Sequence, residues 1–137
     1  MVNEIIKGLS RALYDNFEGV TIYVDNVEQG FKTPSFFIRM VSASETPLIG
    51  NRAKRNCSFG IYYFPKKDSN EEIQRVASQL YAILRQIKLL NGDSLNGLKL
   101  EHEIVDGTLM FFVQFKPIVY YPYDKADGMN DLNYNFK

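Results

Sequence analysis

Apolar residues recur along this chain with two different periods, and the switches between them divide it into elements. At the start, Ile5, Ile6, Leu9, Ala12, Leu13 and Phe17 repeat at helical spacing. Asn3 is placed to cap that helix, and Gly19 lies where it would stop. The period then falls to two. "VTIYVDNV", Val20 to Val27, is β-branched and alternating, and "EQGFKTP" punctuates it with Gly and Pro before the next run.

That run, "SFFIRMVSAS", sets Phe36, Ile38 and Met40 on one face and Phe37, Arg39 and Val41 on the other, so both faces of the strand look partly covered. "ETPLIGNRAKRN", Glu45 to Asn56, follows with Pro47, Gly50 and no sustained period. It reads as a long excursion between two strands, with the form of an extended hairpin arm. Alternation returns from Cys57 to Phe64, where Pro65 ends the strand.

Ser69 and Glu72 have capping-box spacing, and Ile73, Val76, Ala77, Leu80, Tyr81, Leu84 and Ile87 form the stripe of a long amphipathic helix. "NGDSLNG" is loop chemistry. "LKLEHEIV" then places Leu98, Leu100, His102 and Ile104 opposite Lys99, Glu101 and Glu103. Asp106-Gly107 is a type I′ hairpin signal leading into a strand from Thr108 to about Tyr121. From residue 122 the chain is rich in Asp, Asn and Gly with scattered aromatics, an irregular tail whose rings call for a docking surface.

The predicted order is α-β-β-β-α-β-β. This is an α+β fold: a single two-layer domain over residues 1–121, with an antiparallel or mixed β-sheet carrying two helices on one face and a tail over 122–137. A length of 137 residues, 45% hydrophobic and 23% charged, suits one globular core. Sixteen basic and sixteen acidic residues cancel, so no long-range field draws the molecule to a polyanion or an anionic membrane. A near-zero net charge also does little to oppose self-association. The N-terminus has no apolar secretory segment, and no apolar run reaches the roughly 20 residues of a membrane helix, so folding in the cytoplasm without a membrane is expected.

Catalytic chemistry is sparse. His102, the one histidine, sits on the apolar face of its strand, and Cys57, the one cysteine, starts an alternating strand as a small buried hydrophobe would. One Cys and one His cannot build the usual zinc site, so no metal, cofactor or catalytic residue is expected. Glu101, Glu103 and Asp106 could in principle hold a hard cation or support a carboxylate-dependent enzyme. A solvated outer face and a turn explain them more simply. No phosphate-binding glycine loop and no metalloprotease motif occurs.

The remaining signal is basic. Arg52, Lys54 and Arg55 precede the strand and Lys66 and Lys67 follow it, with a separation of roughly 25 Å at strand spacing. A nucleic-acid-binding module using the basic loop is therefore an open alternative, although a stacking platform would need the intervening aromatics exposed on one face.

Taken in order, five segments resemble tail terminator proteins of contractile-tailed phages and of defective, phage-tail-like particles (R-type bacteriocins) of Gram-positive bacteria. They are "NEIIKGLSRALYDNF", "IYVDNVEQGFKTPSFFIRM", "LIGNRAKRNCSFGIYYFPK", "NEEIQRVASQLYAIL" and "HEIVDGTLMFFVQF". The resemblance implies a structural protein without catalytic residues. It implies a hexameric ring, a homo-oligomer at the head-proximal end of the tail that stops tube growth and meets the head-completion proteins.

The implied partners are further copies of the chain, the tail tube protein, the tail sheath and head-completion proteins, with DNA passing non-specifically through the lumen. The implied location is the bacterial host cytoplasm during assembly and then the head-proximal end of the particle. A neighbouring head-tail joining or tail-completion protein is the alternative within that class. On this reading the protein-interface or lumen residues are Leu48, Ile49, Arg52, Lys54 and Arg55 in the excursion, with Tyr121, Tyr123, Tyr134 and Phe136 at and beyond the last strand.

Overall fold

The computed structural model describes residues 2–25, 32–67 and 69–122. Its first helix, α1 (Val2–Asn16), buries Ile5, Leu9 and Leu13 along one stripe. It begins one residue before Asn3, which therefore lies in the first turn and is not the cap. Gly19, at φ +72°, adopts the left-handed backbone that glycine tolerates best after a helix.

The short strand β1 (Thr21–Val24) runs parallel to β2 (Ser35–Pro47), with Ile22 opposite Phe36. The other pairs along the main path of the sheet are antiparallel: β2 with β3 (Arg52–Phe64), β3 with β7 (Thr108–Phe115), and β7 with β6 (Leu98–Val105). The sheet is thus mixed, in the order β1-β2-β3-β7-β6. The β6–β7 hairpin turns at Asp106 and Gly107, both at positive φ, as a type I′ turn requires.

Helix α2 (Asn70–Ile83) starts where the capping residues predict. The Ser69 hydroxyl accepts the Glu72 N–H at 3.3 Å. The Glu72 carboxylate accepts the Tyr63 hydroxyl at 2.7 Å, tying the first turn of α2 to β3. Burial, reinforced by that carboxylate, pushes the Tyr63 phenol well above its ordinary range.

Both helices lie on one face of the sheet. Ile5, Leu9 and Leu13 from α1 and Ile73, Val76 and Leu80 from α2 join Phe36, Ile38, Phe59, Ile61 and Phe111 in a single buried cluster. Each large side chain so buried stabilises the fold by about 1.5–3 kcal/mol relative to exposure. Among the described residues, no helix is long and apolar enough to cross a membrane.

Two departures from the sequence reading lie outside the main helix and sheet layers. Helix α2 ends at Ile83, and Ile87, the last residue of the predicted stripe, instead belongs to β4 (Gln86–Lys88). It is buried there as well, so periodicity alone reads the two states alike. β4 pairs with β5 (Ser94–Asn96), so part of "NGDSLNG" is a small hairpin. Gly97 closes it: its N–H donates to the Arg85 carbonyl at 2.8 Å, and any β-carbon there would collide with the Leu84 carbonyl.

The predicted long final strand also breaks, at Lys116-Pro117. Beyond the break, β8 (Ile118–Tyr120) pairs with the far end of β3, with Val119 opposite Ala53.

Candidate functional site

The predicted excursion Glu45–Asn56 is a hairpin arm. β2 and β3 are 13 residues each, and their paired ends run on beyond the helix-covered region as far as Pro47 and Ala53. All nine residues from Arg39 to Pro47 are exposed. At the tip, Gly50 takes φ +81°, the Leu48 N–H donates to the Arg52 carbonyl at 2.9 Å, and Ile49 is 88% exposed.

A bulge between Met40 and Ser42 shifts the register by one residue. Even-numbered residues of β2 face the core before the bulge, and odd-numbered residues continue that face after it. Glu45 and Arg55 therefore stand directly opposite each other on the core-side face of the arm.

Those two residues and Tyr121 form a polar clamp. Arg55 Nε donates to Glu45 Oε1 at 2.8 Å, and the Tyr121 hydroxyl donates to the same oxygen at 2.7 Å. The Tyr121 N–H reaches the Asn51 carbonyl at 2.7 Å, and Asn51 Nδ2 donates to the Tyr121 carbonyl. The chain is thereby fastened along the arm to its tip. The bond from Arg55, and secondarily that from Tyr121, holds the Glu45 carboxyl below the usual range, while the same carboxylate raises Arg55.

Because the Glu45 pKa is lowered on folding, the clamp is fully formed above the ordinary value of 4.5 and is lost as pH falls through the lowered one. Hydrogen exchange at the Tyr121 amide, taken relative to the intrinsic rate at each pH, is expected to quicken on acidification. In Glu45→Gln it should be fast already at neutral pH, and protection that is unaffected by either change would contradict the clamp.

The three cations of the basic loop do not share a face. By strand alternation Arg55 lies with Ala53, Cys57 and Phe59, whereas exposed Arg52 and Lys54 lie on the opposite side with Tyr62 and Phe64. Leu48 is half-buried at the tip beside Ile49. Tyr123, Tyr134 and Phe136 lie outside the described residues.

The helix-free face is aromatic, and none of its rings is among the candidate residues read from the sequence. Tyr23 stacks on Phe37 at 4.8 Å, Phe37 meets Phe64 edge-on at 5.1 Å, and Tyr62 meets Phe112 edge-on at 6.3 Å. Phe37 is only 3% exposed, while Tyr62, Phe64 and Phe112 are half-buried. The strand alternation carried the signal, since both of its phases are apolar here.

Residues 4–127 match the model of a family described as phage tail terminator protein. The chain belongs to that family. No curated relative matches it. Among solved structures, this tail terminator is similar to the sheath/tube terminator of an extracellular contractile injection system, PVC, in its extended state. The TM-score is 0.54 at 12% identity, covering 100% of this chain and 63% of the other, so the chain spans less than two thirds of that protein's length. The shared feature is the fold.

The terminator's reactive side chains are occupied structurally. Cys57 is fully buried, and burial raises its thiol pKa above the ordinary value, which disfavours a nucleophilic thiolate. His102 is half-buried, its Nδ1 2.8 Å from the Tyr81 hydroxyl and its ring stacked on Phe111. Glu101, Glu103 and Asp106 are exposed, and among the described residues no group of three His, Cys, Asp or Glu is placed to hold a metal.

Proposed function

We propose that this tail terminator closes the head-proximal end of a contractile phage tail, or of a phage-tail-like particle, as a ring of six copies. It stops tube and sheath growth and presents the surface that head-completion proteins meet. The family match over residues 4–127 carries the reading. The fold shared with a sheath/tube terminator supports tube and sheath as the neighbouring proteins. Assembly takes place in the host cytoplasm, and the ring then stays with the particle.

The arm suits this role physically. A cyclic ring joins one surface of a subunit to a different surface of the next, and specific interfaces bury about 1,000 Å² or more. An arm with exposed Ile49 at its tip adds contact area that a closed monomer does not use. The aromatic sheet face supplies a second surface of different chemistry, and a terminator needs two unlike faces: one that binds the last tube ring and one that refuses another.

Arg52 and Lys54 belong to the interaction surface. Reversing both charges, Arg52→Glu with Lys54→Glu, is expected to leave the fold intact and impair capping, seen as overlong tubes in electron micrographs. Normal tube lengths would remove these two residues from the surface. Their position on the aromatic face also favours a second reading, in which they touch the phosphates of DNA passing through the lumen. DNA affinity that falls steeply with salt supports it, and a salt slope near zero excludes it.

A further inference from the structure

We propose that the outer edge of β2 along the arm, Ser42 to Thr46, is a strand-accepting site, and that its occupant is the Asp131–Lys137 segment of the neighbouring copy. The inference rests on the ring reading and adds the contact that links one subunit to the next.

The edge is open. β1 covers only Ser35 to Ile38, and Asp25 adds one N–H bond to the Ile38 carbonyl. Beyond that point no described strand lies on the outer side of β2, although the strand continues to Pro47. An unpaired row of N–H and C=O groups is a template for another strand unless something blunts it.

The other edges are blunted. β6 carries Lys99 at φ +50° beside a register shift, together with exposed Glu101 and Glu103. β8 is three residues long between Pro117 and Pro122, and β1 is four residues long. Along the arm, Ser42, Ala43 and Ser44 are small, proline is absent until Pro47, and the charge of Glu45 is paired with Arg55.

The occupant is identified by its pattern. Asp131 to Lys137 reads D-L-N-Y-N-F-K, with Leu132, Tyr134 and Phe136 alternating with Asn133, Asn135 and Lys137. That is strand grammar, rich in β-favouring aromatics, and no strand described in the fold accounts for it. In strand addition the backbone supplies affinity and alternate side chains supply specificity. The clamp settles where the segment is delivered from, because Tyr121 is fastened beside Asn51 at the tip of the arm. The eight residues between Pro122 and Asp131 would add up to about 29 Å of reach when extended. The tip lies outside the buried cluster under α1 and α2, so the segment sets out from a point where a neighbour's edge can lie within that reach.

The test uses assembled particles. Ser44→Cys combined with Asn135→Cys, oxidised after purification, is expected to give a ladder of covalent oligomers on a non-reducing gel, while each single variant stays monomeric. Buried Cys57 serves as the native background. A cross-linked monomer of altered mobility would mean that the segment folds back on its own arm, and two free thiols in a protein still seated as a ring would mean that it docks elsewhere. Either result overturns this inference and leaves the ring reading standing. Recovery of the protein from particles without any ring would overturn both.

Discussion

Replacing Glu45–Arg55 with a two-residue Asn-Gly turn is expected to leave a folded body that no longer caps tails. The join is sterically sound: Ser44 and Asn56 are already opposite each other in the β2–β3 register, and a two-residue type I′ turn closes such a pair. Of the buried hydrophobic residues, only Ala53 lies in the excised stretch, so the cluster under α1 and α2 stays whole. The excision also removes the partner of β8 and the whole Glu45–Arg55 pair, leaving Tyr121 unfastened. A cooperative unfolding transition close to that of the intact chain, with overlong tubes in particles carrying the variant, is the expected combination. Normal tube lengths would show that the arm is dispensable for capping, and loss of cooperative folding would show that it belongs to the core.

Phe111→Ala is expected to destabilise the chain by about 3–5 kcal/mol, the range typical for deleting a buried phenyl ring. Phe111 is fully buried near the centre of the sheet, between Ile61 on β3 and His102 on β6. The Tyr81 ring of α2 meets it edge-on at 4.8 Å, so the cavity would open where helix and sheet join. A domain of this size has a total stability of about 5–15 kcal/mol, so the loss is a large share of it. Urea unfolding should show a lowered midpoint with an unchanged slope. A change below about 1 kcal/mol would mean that the contact between α2 and the sheet is not where the structure puts it.

The layers of this fold were legible wherever local chemistry decides the outcome. Ser69 caps α2 as its spacing predicts, and Asp106-Gly107 turns the β6–β7 hairpin because both residues must take positive φ. The arm was legible only in outline, since the bulge after Met40 reverses which residues face the core and scrambles the alternation. The clamp was not legible at all: Tyr121 and Glu45 are 76 residues apart, and nothing local marks either as a partner of the other. The parallel placement of β1 and the split of β8 from β7 are likewise tertiary outcomes, the second made at Pro117, where no N–H is available to continue a ladder.

The basic cluster shows the limit of composition as a guide. Arg52, Lys54 and Arg55 read as one patch in one dimension, yet strand alternation sends Arg55 to the clamp and the other two to the aromatic face. Two of the three cations thus share a face with aromatic rings, with about 26 Å of strand between Lys54 and Tyr62.

The central claim is that this protein stops tail growth, and the length distribution of tubes in particles assembled without it tests that most directly. Electron micrographs of such particles should show tubes of unregulated, excessive length, restored to uniform length when the protein is supplied. Tubes of normal, uniform length that merely lack heads would contradict the claim and place the protein at the head-tail joint instead.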